Sequence, residues 1–159
     1  MKKHLHLPIV LVALLLLSSC EAISNLTSGT SSTPLLKDSG KSGVKVFVLS
    51  NMDAKALSKD ETKQLDALAK EIKAMGSCQV TVIGHADNTG TSEVNEAVSS
   101  KRARLVADHL KNKGVSNITT KWESYNHPVA GNDTADGRAK NRRVEIFVST
   151  IGKYNPYKK

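Results

Sequence analysis

Residues 80–104 read VTVIGHADNTGTSEVNEAVSSKRAR, an alternating apolar strand, a short polar loop and a helix in one run. Val80 and Val82 fall on one face and Thr81 and Ile83 on the other, the period of two of a sheet element, and Gly84 ends the run. The loop His85-Ala86-Asp87-Asn88-Thr89-Gly90 is rich in Asn, Asp and Gly, which tolerate left-handed backbone and bond their own main chain, so it reads as a well-formed turn. The helix is expected from Ser92 to Lys113, with Gly114 as its stop.

One position on that helix needs a partner. At about 100° per residue from Val94, Val98, Leu105 and Val106 fall at roughly 40°, 20° and 120°, and Arg102 falls at roughly 80°, inside the apolar arc. A guanidinium there keeps its proton and requires an anion or hydrogen-bond acceptors. The residues alone leave three answers open: its stem packs while its head reaches solvent, Asp87 pairs with it as a structural bridge, or the two charges serve a ligand.

Upstream, Val44, Val46 and Val48 alternate with Lys45, Phe47 and Leu49 in a strand, and a loop follows from Asn51 to Leu57. Ser58-Lys59-Asp60-Glu61 has the capping-box pattern, and Leu65, Leu68, Ala69, Ile72 and Met75 form one apolar helical stripe that Gly76 ends. Cys78 opens the next strand and reads as a small buried hydrophobe. Downstream, Ile118 to Trp122 is a further strand, with Trp122 in the core or on a groove wall. Asn132-Asp133-Thr134 caps a short helical turn from Ala135 to Asn141, and Val144, Ile146 and Val148 alternate in a last strand. Two successive strand-helix-strand crossovers imply neighbouring parallel strands with both helices on one face. The fold expected over 44–150 is therefore α+β, a two-layer sandwich βαβαβ(α)β with a mixed four-stranded sheet and the helices on one face.

The ends read differently. Met1-Lys2-Lys3-His4 is a basic start, Ile9 to Leu17 is nine apolar residues, and Leu17-Ser18-Ser19-Cys20 follows the lipobox pattern of bacterial lipoprotein signals. Nine residues fall short of the ~20 that span a bilayer, so 1–19 is expected to be a cleaved signal and Cys20 a lipidated N-terminus, anchored and not spanning. Glu21, not the aspartate that resembles an inner-membrane retention signal, follows the cysteine, which favours the outer membrane. Residues 20–43 are Ser/Thr/Gly-rich without a period and read as a flexible linker with a root-mean-square reach of about 25 Å. The stretch 151–159, with Tyr154, Pro156, Tyr157 and three lysines, has no period and reads as a loose basic tail.

Without Lys2 and Lys3 the chain keeps 21 basic against 15 acidic residues, a formal charge of +6 instead of +8. Such a balance suits an anionic polymer, a membrane surface or nucleic acid, and export removes nucleic acid. With Cys20 modified, Cys78 is left alone and no intrachain disulfide forms.

The run GHADNTG, then Asn95, Ser99 and KRAR, and further on Pro128-Val129 and TADGRAKNRRVEI, closely resembles the OmpA C-terminal-like domain, the peptidoglycan-binding module of outer-membrane proteins and lipoproteins. The resemblance covers roughly Val44 to Ser149. It departs at Trp122-Glu123-Ser124-Tyr125, where that family usually carries a GYGE-type run. In that family an aspartate of the loop and an arginine of the helix hold the free zwitterionic end of diaminopimelate, so the resemblance implies Asp87 and Arg102 as ligand-holding residues. Asn88, Thr89 and Gly90 would offer loop amides, Asn95 an amide that either bonds ligand or braces the loop, and Arg142 a further contact.

The function expected is a lipid-anchored protein on the periplasmic face of the outer membrane. Its partners are peptidoglycan, through the diaminopimelate stem peptide, and the membrane, through Cys20. The alternative is a docking component of an envelope-spanning secretion or conjugation complex, with envelope proteins as partners. His85 and Asp87 form a His-x-Asp pair that can ligate metal or act as a base, but His109 and His127 offer no ligand spacing and there is no paired-carboxylate or nucleophile constellation. No enzymatic activity, cofactor or metal is expected.

Overall fold

Residues 35–158 are described by a computed structural model. Cys20, the expected signal and most of the expected linker lie outside the described residues. The elements run β1 Lys37–Asp38, β2 Val44–Ser50, α1 Lys59–Ala74, β3 Gln79–Gly84, α2 Ser92–Asn112, β4 Ile118–Trp122, α3 Ala135–Asn141 and β5 Arg143–Ser149. Local chemistry sets their ends. Ser58 and Glu61 form a reciprocal capping box at the start of α1, and the Thr91 and Thr134 hydroxyls accept amides at the starts of α2 and α3. Gly76 and Gly114 close α1 and α2 in the left-handed conformation.

The strands form one mixed sheet in the order β1-β2-β5-β3-β4, with only the β3–β4 pair parallel. Two expectations change. The first crossover, β2-α1-β3, does not yield neighbours, because β5 inserts between them and pairs antiparallel with both over nearly its whole length. Its residues explain that place: Val144, Ile146 and Val148 on one face and Phe147 on the other are all buried, the two-sided burial of a central strand. The sheet also has five strands, not four, since Lys37–Asp38 pairs with Val46 and Lys45.

That fifth strand lies within 20–43, so the folded part starts N-terminal to Val44. Leu36 is 5% exposed and belongs to the main core, and the amides of Leu35 and Leu36 donate to the Glu71 carboxylate on α1. The core gathers Leu65, Leu68 and Ile72 of α1 and Val106 and Leu110 of α2 against Val80, Val82, Val144, Ile146 and Val148. Burial of each such side chain is worth about 1.5–3 kcal/mol. In β2 the core face is Phe47 and Leu49, while Val48 is exposed.

The opposite face of the sheet is covered too. Residues 151–158, expected to be loose, lie against it: Tyr154 and Tyr157 pack with Val44, Val46, Ile83 and Phe147. Trp122 is not core. It sits 39% exposed on the edge strand, its indole N–H donating to Glu96 at 3.2 Å.

Candidate functional site

The end of β3 and the start of α2 approach so closely that only glycine fits at position 84. A Cβ there would lie 2.0 Å from the carbonyl oxygen of Ser99. This contact explains the buried stripe of α2, which is Asn95, Ser99, Arg102, Ala103, Val106, Ala107 and Leu110. Small side chains line the approach. Arg102 is inside the stripe as expected, but Val94 is exposed and Leu105 half-buried, so the apolar arc lies farther round the helix than the valines suggest.

Arg102 is 6% exposed and its head does not reach out to solvent. Its Nε donates to the Met52 carbonyl at 2.9 Å and its Nη1 to the His85 carbonyl at 3.0 Å. Among the described residues no carboxylate lies within 4 Å of it. The bridge that Asp87 and Arg102 were left free to form is therefore not made. Burial and the like charge of Arg142 weaken Arg102's hold on its proton, while Asp87 and Asp53 strengthen it, so all these charges share one neighbourhood.

Asp87, 5% exposed, pairs instead with Arg142: its Oδ2 accepts from Arg142 Nη1 at 3.0 Å. Its Oδ1 accepts from the Thr89 amide at 3.0 Å and from the Thr89 hydroxyl. Burial opposes ionisation of this carboxyl, but the Thr89 bonds and Arg142 outweigh it and hold the carboxyl below the usual aspartate value. Arg142 is about one-third exposed at its side chain and reaches across to Asn51 Oδ1 at 2.8 Å through its other terminal nitrogen. One guanidinium, Arg142, thus holds the buried carboxylate, while Arg102 feels it only at longer range.

The rest of the loop divides. The Thr89 amide is occupied by Asp87, whereas the amides of Asn88 and Gly90 make no hydrogen bond among the described residues. These three residues are exposed at the mouth of the site. Asn95 is 1% exposed, and its Nδ2 has no partner among the described residues. It does not brace the loop through that group. A buried donor left unpaired costs about 1–3 kcal/mol, so this one marks a place where something else accepts.

Asn51 and Asn141 were not foreseen. Asn51 sits in the left-handed region (φ 56°), a conformation asparagine tolerates, and from there holds Arg142. Asn141, fully buried, takes the amides of Val129 and Ala130 on Oδ1 and donates to the Ala130 carbonyl and Asn132 Oδ1, fixing the loop beside the site. The only advance signal was their residue type next to strand ends. His85 and Asp87 do not cooperate: the His85 ring lies against Glu145 and Tyr157, away from Asp87's partners.

Comparison with known proteins gives this geometry a setting. Residues 51–142, more than half of the chain, match the OmpA family. The peptidoglycan-binding protein ArfA of Mycobacterium tuberculosis (strain ATCC 25618 / H37Rv) is 40% identical over 99 residues, covering 61% of this chain and 30% of that protein. This chain therefore spans less than a third of ArfA's length. Among solved structures, the cell wall anchor of the T6SS from Pseudomonas aeruginosa is 29% identical, with a TM-score of 0.61 over 72% of this chain and 87% of that one. The peptidoglycan-associated lipoprotein from Burkholderia pseudomallei is 26% identical, with a TM-score of 0.56 over 59% of this chain and 81% of that one. With a family match spanning Asp87, Asn95, Arg102 and Arg142 alike, this chain belongs to the OmpA family.

Proposed function

We propose that this chain is a non-enzymatic wall-binding module that holds peptidoglycan through the free diaminopimelate end of its stem peptide. The observation that carries the reading is Arg102, a buried guanidinium held by two carbonyls with no carboxylate of its own, beside the unpaired amide of Asn95. That end presents an ammonium and a carboxylate on one carbon. The carboxylate suits Arg102, Asn95 Nδ2 and the open amides of Asn88 and Gly90, and the ammonium suits Asp87, ionised and already fixed by Thr89 and Arg142. No cofactor or metal enters this chemistry.

Each charge-assisted bond nets roughly 1.5–3 kcal/mol, and association itself costs several, so the site alone binds weakly. A lipid anchor at Cys20, on the periplasmic face of the outer membrane, would raise the effective concentration against a continuous polymer and turn weak contacts into lasting attachment. The likeness to a secretion-system wall anchor supports a second reading, in which the same site docks an envelope-spanning assembly.

Co-sedimentation with purified sacculi tests the first. Asp87→Ala and Arg102→Ala should each lose binding to diaminopimelate-type sacculi, and lysine-type sacculi should bind less than diaminopimelate-type. Wild-type binding by both variants would overturn the assignment. Partners co-purifying from membranes with a binding-defective variant would favour the second reading.

A further inference from the structure

The face of the sheet away from the helices carries a polar cluster that the wall site does not use. Arg143, 1% exposed, donates from Nε to Glu145 Oε1 at 2.8 Å and from Nη2 to the His127 carbonyl at 3.0 Å. The Tyr157 hydroxyl closes the cluster, donating to Glu145 Oε2 at 2.6 Å and accepting from Arg143 Nη2 at 3.3 Å. The Tyr157 ring stacks on His127 with centroids 4.0 Å apart and meets His85 edge-on at 5.4 Å. Thus one side chain from beyond the last strand joins three separate stretches: the end of β3, the start of β5 and the loop after β4.

Those stretches are the ones that build the wall site, one residue out of step. His85 turns its ring to Tyr157 and its carbonyl to Arg102. Arg143 reaches the cluster, while its neighbour Arg142 reaches Asp87. Backbone bonds tie the set together: the His85 amide donates to the Arg143 carbonyl at 2.9 Å, and the Ala86 amide to the Ser124 carbonyl at 2.7 Å. His85 and Arg142 stand at the edges of β3 and β5, where the same short backbone serves both faces. A change that loosens the cluster on one face must loosen the carriers of the site on the other.

The segment itself is set for the task. The Thr150 amide donates to the Gly43 carbonyl at 2.9 Å, Tyr154 packs edge-on against Phe147, and Asn155 accepts the Tyr157 amide in a tight turn that aims the ring inward. Burial pushes the Glu145 carboxyl up, but His85, Tyr157 and Arg143, in that order, outweigh it and hold it down to about 2, and the same carboxylate raises the Tyr157 hydroxyl further above its ordinary value, after burial. Both groups therefore keep one protonation state across neutral pH.

We propose that residues 151–158 are a strap, and that Tyr157 is a positioning residue for wall binding, clamping from the far face the backbone that carries Arg102's acceptor and Asp87's partner. The proposal rests on the wall-binding reading, yet it has a readout that needs no ligand. In the full chain purified in detergent, a variant ending at Gly152 should speed amide exchange of residues 85–90 and 123–130 while α1 stays protected, a local opening and not global unfolding. At temperatures where that variant is folded, sacculus binding should weaken about three- to tenfold. Tyr157→Ala should approach the shortened variant, and Tyr157→Phe, which keeps the ring and loses only the hydroxyl, should recover part of both readouts. If the shortened variant does not fold, the Tyr157 pair decides by itself. Unchanged exchange in 85–90 together with unchanged binding would overturn the strap. Faster exchange in a chain whose wild type ignores sacculi would keep the strap and sink the wall-binding reading.

Discussion

Arg102 and Arg143 are buried guanidiniums on opposite faces of one sheet, at 6% and 1% exposure, and each makes two or more hydrogen bonds. Arg143 has its own carboxylate, Glu145, and a tyrosine over it. Arg102 has only the carbonyl dipoles of Met52 and His85, with Asp87, a carboxylate of its neighbourhood, already paired to Arg142. Burial of a charge is costly on either face. On one face the charge meets a counter-charge inside the chain, Glu145, although Arg143 Nη1 is left without a hydrogen-bond partner among the described residues. On the other it is met by carbonyl dipoles alone, which fits the wall-binding reading proposed above.

The strongest way to break this comparison is to strand Arg143. Glu145→Ala leaves a buried cation with no counter-charge and should cost about 3–5 kcal/mol in denaturant unfolding, whereas Asp87→Ala leaves Arg102's carbonyl bonds intact and Arg142, a third exposed, to water and Asn51, and should cost less, about 1–3 kcal/mol for the lost bonds to Thr89 and Arg142. Equal costs would mean the two faces do not differ. The same carboxylate sets an acid limb. Its folded-state value of about 2 lies below the ordinary 4.5, so its stabilisation is complete above pH 4.5 and fades as pH falls towards 2. His85, lowered by burial, is neutral when folded and also resists the proton, so falling pH below 6.5 works in the same direction. Melts of the wild type from pH 7 to 2 should decline along this limb, and Glu145→Ala should flatten its lower part.

A smaller effect concerns a third carboxylate, Glu71, which holds backbone amides and no cation. Chains starting at Thr33 and at Lys41 differ by the buried Leu36 and the Glu71 bonds, and the shorter should be less stable by about 2 kcal/mol. Equal melting would return the boundary to Val44.

This boundary shows what the text of the chain reveals and what it hides. Strong periods are readable: the helices, the capping box of α1, the glycine stops of α1 and α2, the strand over 80–84 and the place of Arg102 on the inward face of α2 all follow from local spacing. Two leucines in Ser/Thr-rich surroundings carry no period, and their reason for folding is a carboxylate 35 residues away. The tail is similar, because Tyr154 and Tyr157 are ordered by groups on strands, not by their own neighbours. For the site, residue types and positions were legible, but the pairing was not. Asp87 and Arg102 looked like partners because the other arginine, Arg142, lies 55 residues away in sequence and reaches Asp87 only once β5 is inserted beside β3.

The smallest effect on stability is also the most selective for the site. Asn95→Ala removes a donor that has no partner, which relieves the cost of an unpaired buried group, and leaves a small void of opposite sign, so the net change should stay within about 1 kcal/mol. If Asn95 Nδ2 awaits the ligand carboxylate that Arg102 also takes, sacculus binding should fall about tenfold in the same variant. The two readouts separate three cases. Loss of binding with an unchanged melt places Asn95 with Arg102 on the open face. Loss of both in proportion makes it a brace, like Asn141. Unchanged binding means that the unpaired amide and the uncompensated guanidinium share a face without sharing a ligand, and the contrast with Arg143 would then have to rest on Arg102 by itself.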